Sequence, residues 1–122
     1  MSWVSWLFLA NGAVECSAGL VAFIKPSALP TFTTIRDGQP AIAVRWWGTA
    51  VTALGLATVI ARNAPDKDVG KQALAAGMLL YHVVLCYYCA KKQAGQSNAA
   101  GLAIHGPLAL GFACWLSTVR NL

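Results

Sequence analysis

Four segments of the chain, 3–24, 40–61, 70–90 and 99–119, are almost wholly apolar. Each has the roughly 20 residues needed at 1.5 Å per residue to cross about 30 Å of hydrocarbon. In hydrocarbon every backbone N–H and C=O must find its partner within the segment, which makes such stretches helices. The expected fold is therefore all-α: an integral membrane, antiparallel four-helix bundle with four transmembrane helices, forming one domain over 1–122. Composition agrees, because 57% of the 122 residues are apolar and 11% charged, against about a quarter charged in soluble domains. So few charges do not solvate a soluble globule, which argues against a soluble enzyme or a disordered tail. The formal net charge of +5 is carried largely on residues flanking the apolar runs. It lacks the basic stripe with interleaved aromatics that marks a nucleic-acid binder.

Helix breakers and charges set the boundaries. Lys25-Pro26 ends the first segment, Pro40 sits in the first turn of the second, Arg62-Asn63-Ala64-Pro65 closes it, and Lys91-Lys92 ends the third. The 25–39 connection, with Pro26, Pro30 and Asp37-Gly38, is expected to be an ordered loop, and 93–98 a polar, flexible turn. Residues 1–6 carry no Lys or Arg, and the apolar run outlasts a signal core, so the first segment is expected to be an uncleaved span. An even number of spans puts both termini on one side. Arg62, Lys67, Lys71 and Arg120 on that side balance Lys25, Arg36, Lys91 and Lys92 on the other, leaving orientation and compartment open. Trp3, Trp6, Trp46, Trp47, Trp115, Tyr87 and Tyr88 mostly lie near segment ends and read as interfacial belt residues.

A short echo links the first two segments. Gly12 and Gly19 recur at the spacing of Gly48 and Gly55, each pair followed by apolar residues, a basic residue and a proline. It reads either as a duplication or as small residues placed where two membrane helices approach closely. Ala73 and Gly77 form a further small-residue pair expected to mark a packing face.

Ionisable groups inside spans are costly and normally face the protein interior. Measured from the side of the 25–39 and 91–98 connections, Glu15 lies about 13 Å deep, His82 about 12 Å, His105 about 9 Å and Arg45 about 8 Å. The four form one expected polar layer. Asn11, Glu15, Ala18 or Gly19, and Ala22 share one face of the first helix, and Ala41, Arg45, Gly48 or Thr49, and Thr52 one face of the second. Both faces suit a helix–helix seam, on which Glu15 and Arg45 would be counter-ions. His82 and His105, which titrate near neutrality, are candidate acid–base residues together with Glu15. Arg45, Asn11, Tyr81 and Trp46 are candidate ligand-binding residues. The competing reading is that the polar layer locks helix register.

No resident cofactor or metal is expected. His82, Cys86 and Cys89 follow i, i+4, i+7 with His105 on the next helix, the ingredients of a two-Cys, two-His zinc set. Those ligands would spread over about 10 Å of a single helix, too far for one ion. Haem between His82 and His105 is the other metal alternative. Covalent attachment through Cys-x-x-Cys-His is excluded because Ala90 follows Cys89. Cys86-Tyr87-Tyr88-Cys89 has the spacing of a thiol redox pair but closes a helix, where the dipole does not activate thiols. Cys16 and Cys114 read as small packing residues. His105-Gly106-Pro107 is expected to kink the fourth helix and to free a carbonyl near Ala103. No phosphate loop, nucleophile elbow or carboxylate-rich metal motif is present.

Gly12, Gly19, the Pro26 and Pro30 loop, Val44-Arg45-Trp46-Trp47-Gly48 and Gly55 together resemble the DoxX-like group of small four-helix membrane proteins. The resemblance covers about two-thirds of the chain. It implies an antiparallel helical membrane bundle and no definite reaction. Glu15 and His105-Gly106-Pro107 do not map onto that group, so it assigns no catalytic residue.

The resulting expectation is a membrane protein that binds or processes a small hydrophobic molecule, such as a lipid, sterol, terpenoid or quinone. The alternative is a non-enzymatic accessory or assembly subunit of a larger membrane complex. Expected partners are the bilayer, that ligand, and further copies or membrane subunits, with no nucleic acid. A channel ranks third, since four helices enclose little lumen.

Overall fold

A computed structural model describes residues 1–29, 38–91 and 98–119. The larger part of both expected loops, with Arg36 and Lys92, lies outside the described residues, as does Arg120. All described secondary structure is helical: α1 (Trp3–Ile24), α2 (Gln39–Ala61), α3 (Val69–Ala90) and α4 (Ala99–Val119), with a 3₁₀ turn at Pro26–Ala28. All four are long and apolar enough to cross a membrane.

The helix ends follow local chemistry. The Ser2 side chain accepts from the Ser5 amide at 3.2 Å, Asp68 from Lys71 at 2.7 Å, and Asn98 from Gly101 at 2.9 Å. Each satisfies an amide that the first helical turn leaves without a partner. Before α2 the cap is Gly38, at φ +90° and ψ −162°, a region that only glycine adopts readily. Pro40 then sits in the first turn, where its missing N–H costs nothing.

The chain divides into two compact units, Met1–Arg62 and Asn63–Leu122. In the first, α1 and α2 form an antiparallel hairpin. Buried positions on α2 are Ala41, Val44, Gly48, Val51, Gly55 and Thr58, alternating steps of three and four residues. On α1 they are Val4, Phe8, Asn11, Gly12, Glu15, Gly19 and Ala22. This average period of about 3.5 residues is that of left-handed, near-parallel helix packing.

The glycine echo is the seam of this hairpin. A Cβ on Gly12 would lie 2.8 Å from the Gly55 carbonyl oxygen, and one on Gly55 would lie 3.0 Å from that of Gly12. Gly19 and Gly48 stand in the same reciprocal relation. Glycines two turns apart on each helix thus meet in antiparallel register and let the backbones touch. Around them Cys16 Sγ donates to the Thr52 carbonyl at 3.6 Å, and Asn11 Nδ2 donates to Thr58 Oγ1 at 3.3 Å.

In the second unit α3 and α4 form another hairpin with the same spacing. Lys71, Ala75, Met78 and His82 are buried on α3, and Leu108, Phe112, Trp115 and Val119 on α4. The α4 helix continues through Pro107. Ala73 and Gly77 do not mark a packing face: both are exposed, and a Cβ on Gly77 would meet nothing within 4 Å. Beside them Leu80, Val83 and Val84 are also exposed, so this is an outward, apolar surface.

Candidate functional site

His82 and His105 occupy the same level of the α3–α4 hairpin, with Nδ1 atoms 3.0 Å apart. His82 is fully buried and His105 half-buried. The ring centroids stand 5.2 Å apart, a separation reached only when the two nitrogens point at one another. This is the geometry of an Nδ1–H···Nδ1 hydrogen bond. Cys86 and Cys89 do not gather with the histidines within metal-ligand reach.

Aromatic rings fix the pair in place. Phe112 stacks on His82 with centroids 6.1 Å apart and planes at 11°. The half-buried Tyr81 ring stands edge-on to both histidines, at 5.3 Å from His82 and 6.4 Å from His105. Such contacts hold an imidazole orientation inside an apolar helix pair. One hydrogen is shared between two Nδ1 atoms, so the tautomers are coupled. When His82 donates, His105 carries its own hydrogen on Nε2; when His105 donates, its Nε2 is a bare acceptor. The half-buried ring therefore presents either a donor or an acceptor, according to what approaches it.

The other expected site residues lie in the first unit and divide between buried and exposed positions. Asn11 is buried and bonds Thr58. Glu15 is 1% exposed, one helical turn further along α1. Arg45 is exposed, and Trp46 is 75% exposed. The seam register corrects the Glu15–Arg45 pairing. With Gly19 facing Gly48, Arg45 lies level with Ala22, seven residues or about 10 Å along α1 from Glu15. Of the expected α2 face, Ala41 and Gly48 are buried and Thr52 meets Gly19 across the seam, while Arg45 turns outward and the adjacent Val44 is buried instead.

Sequence reading missed Lys71, taken as a flanking cation of the 62–71 connection. It lies in the first turn of α3 with its side chain 2% exposed. Its Nζ donates to the Ala64 carbonyl at 2.8 Å and to Asp66 Oδ1 at 2.9 Å, 5.4 Å from the centre of the Trp115 ring. The signal available was its spacing from Ala75, Met78 and His82. On the same hairpin a shallow concavity of about 250 Å³ is lined by Ala76, Leu79, Ala113, Leu116 and Ser117. Neither histidine belongs to it.

Fold and composition together define the class, a small all-α chain whose helices have the length and apolarity of membrane spans. Comparison with family models, with curated proteins and with solved structures finds no match to this chain.

Proposed function

We propose that this is an integral, multi-pass membrane protein that binds the polar end of a small hydrophobic molecule at His105, with His82 as the residue that sets the His105 tautomer. The observation that carries this reading is the Nδ1-to-Nδ1 bond between two histidines within apolar helices. Polar groups inside spans are retained at a cost and mark sites of function. Coupled tautomers suit ligands whose head is a hydroxyl, a carbonyl or a carboxylic acid, since His105 Nε2 adapts to either hydrogen-bonding sense. Sterols, terpenoids, quinones and fatty acids share this chemistry. The DoxX-like resemblance fits the same reading as a helical membrane scaffold without a fixed reaction.

Native mass spectrometry on protein extracted gently from its own membrane tests this. The expected result is one small-molecule mass per chain, retained by the wild type and lost in His105→Phe at unchanged folded yield. Absence of any bound mass, or its full retention by His105→Phe, would overturn the reading.

A further inference from the structure

Cys86 and Cys89 lie at the C-terminal end of α3, outside the site described above. With the helix ending at Ala90, the pair sits about 2–6 Å below the end of the span, within reach of an ion from the aqueous side. Both thiols are reduced and half-buried. Residues three apart on a helix share a face, with Cβ atoms about 5–6 Å apart, and these two sulfurs are close enough to interact electrostatically. The start of α4 packs on the outer one. A Cβ on Gly101 would lie 2.5 Å from Cys89 Sγ, so the missing side chain at Gly101 leaves room for the sulfur. The Asn98 amide donates to the Cys89 carbonyl at 3.0 Å and holds the same end. Cys89 Sγ therefore rests against the first turn of α4, where the helix dipole is positive.

The two sulfurs are a complete donor set. Among the described residues no cluster of three or more metal-ligating side chains includes either cysteine, and residues 92–97 contain no His, Cys, Asp or Glu. The spread that rules out a four-ligand zinc set comes from His82; Cys86 and Cys89 alone differ by only about 4.5 Å of helix rise. A disulfide needs Cβ atoms about 3.5–4.5 Å apart, closer than an intact helical turn sets them. Two metal–sulfur bonds in line, at the zinc–thiolate length of about 2.3 Å, need sulfurs about 4.6 Å apart. Rotation about χ1 brings sulfurs on this turn to that separation.

We propose that Cys86 and Cys89 form a binding site for one monovalent copper ion. The donor count selects the metal. Structural zinc takes four ligands and iron–sulfur clusters take four cysteines, whereas soft Cu(I) accepts two thiolates in line. Binding exchanges two S–H bonds for two Cu–S bonds and releases two protons to water, with copper remaining monovalent throughout. The resulting dithiolate complex carries one net negative charge, which the first turn of α4 beside Cys89 Sγ offsets. The site uses neither histidine and stands whether or not a small molecule binds at His105.

The test is anaerobic titration of full-length protein in detergent micelles with Cu(I) held by a coloured chelator. Wild type is expected to withdraw one Cu(I) per chain, and X-ray absorption at the copper edge to show two sulfur neighbours and no imidazole. Cys86→Ser and Cys89→Ser should each weaken binding by more than about 100-fold, beyond the 10–100-fold typical of losing an outer-shell partner. Cys114→Ser, at an exposed position on α4, should bind as wild type does. Circular dichroism should show unchanged helicity in all three variants, and the copper spectrum of the wild type decides the case even where a variant unfolds. Failure of wild type to compete with the chelator, or undiminished binding by either of the Cys86 and Cys89 variants, overturns the site. So does a copper shell of nitrogen neighbours, which would move the metal to the histidines. Zinc bound by four sulfurs at one ion per two chains overturns it as well, replacing it with a site shared between copies.

Discussion

Gly48 lies so close to Gly19 that a Cβ on either would fall 2.6 Å from the carbonyl oxygen of the other. Neither backbone can retreat without opening the α1–α2 seam, so one added methyl overpacks it. Gly19→Ala and Gly48→Ala are each expected to destabilise by about 1–3 kcal/mol. Gly77→Ala is the control. It meets nothing within 4 Å and should be neutral or stabilising by up to about 1 kcal/mol, the helix-propensity gain of alanine. Equilibrium unfolding in mixed micelles reads all three. Equal effects at Gly77 and Gly19 would contradict the seam.

The spans were legible because their signals are local and redundant. Lys25-Pro26, Pro40 and Pro65 stop or start helices whatever surrounds them, and the expected boundaries match the observed ones to within one residue. Which way each helix faces was less legible. In a soluble protein polarity separates inside from outside, but lipid and protein interior are both apolar, so Ala73 and Gly77 look like a seam while facing outward. Arg45 was wrongly placed on the α2 seam with Ala41, Gly48 and Thr52 for a related reason. Near the end of a span a cation can reach the surface, so it need not point inward. The α1 face was read correctly because Asn11 and Glu15 lie too deep for that escape. His82 and His105 could be matched in depth from helix rise alone, but the ring-to-ring bond depends on the α3–α4 register, which sequence does not encode locally.

Arg45 gives the second prediction. As an exposed residue without an ion-pair partner among the described residues, it should tolerate Arg45→Gln in lipid-free micelles within about 0.5 kcal/mol. Breaking a buried pair with Glu15 would instead cost about 3–5 kcal/mol. Thermal unfolding followed by circular dichroism separates these values. A loss in the larger range would restore the Glu15–Arg45 pairing.

Lys71 holds the 62–68 turn to the start of α3. Lys71→Met removes the ammonium, and with it the bonds to the Ala64 carbonyl and Asp66 and the contact with the Trp115 ring. The expected cost is about 2 kcal/mol, since hydrogen bonds from a charged donor are worth roughly 1.5–3 kcal/mol. Asp66→Asn should cost less, under about 1 kcal/mol, because Asp66 is 50% exposed and solvent screens its share. Limited proteolysis provides an independent readout, with cleavage between Arg62 and Asp68 faster in Lys71→Met than in Asp66→Asn. The reverse order would show that the carboxylate, not the carbonyl, anchors the turn.

The histidine pair makes a prediction that does not depend on any ligand. If His82 and His105 share one hydrogen between Nδ1 atoms, their stabilities are coupled. Replacing either ring by Phe leaves the other Nδ1 without this bond, so the two single changes should together cost more than the double change. A double-mutant cycle over His82→Phe and His105→Phe should give a coupling of about 1 kcal/mol, the net worth of one hydrogen bond. Nitrogen NMR on the wild type gives the matching spectroscopic signature. With both rings neutral, one should carry its hydrogen on Nδ1 and the other on Nε2, and His105→Phe should abolish that asymmetry at His82. Additive energies, together with two rings of the same tautomer, would mean that the 3.0 Å approach is packing alone. The tautomer coupling on which the ligand site depends would then be lost with it.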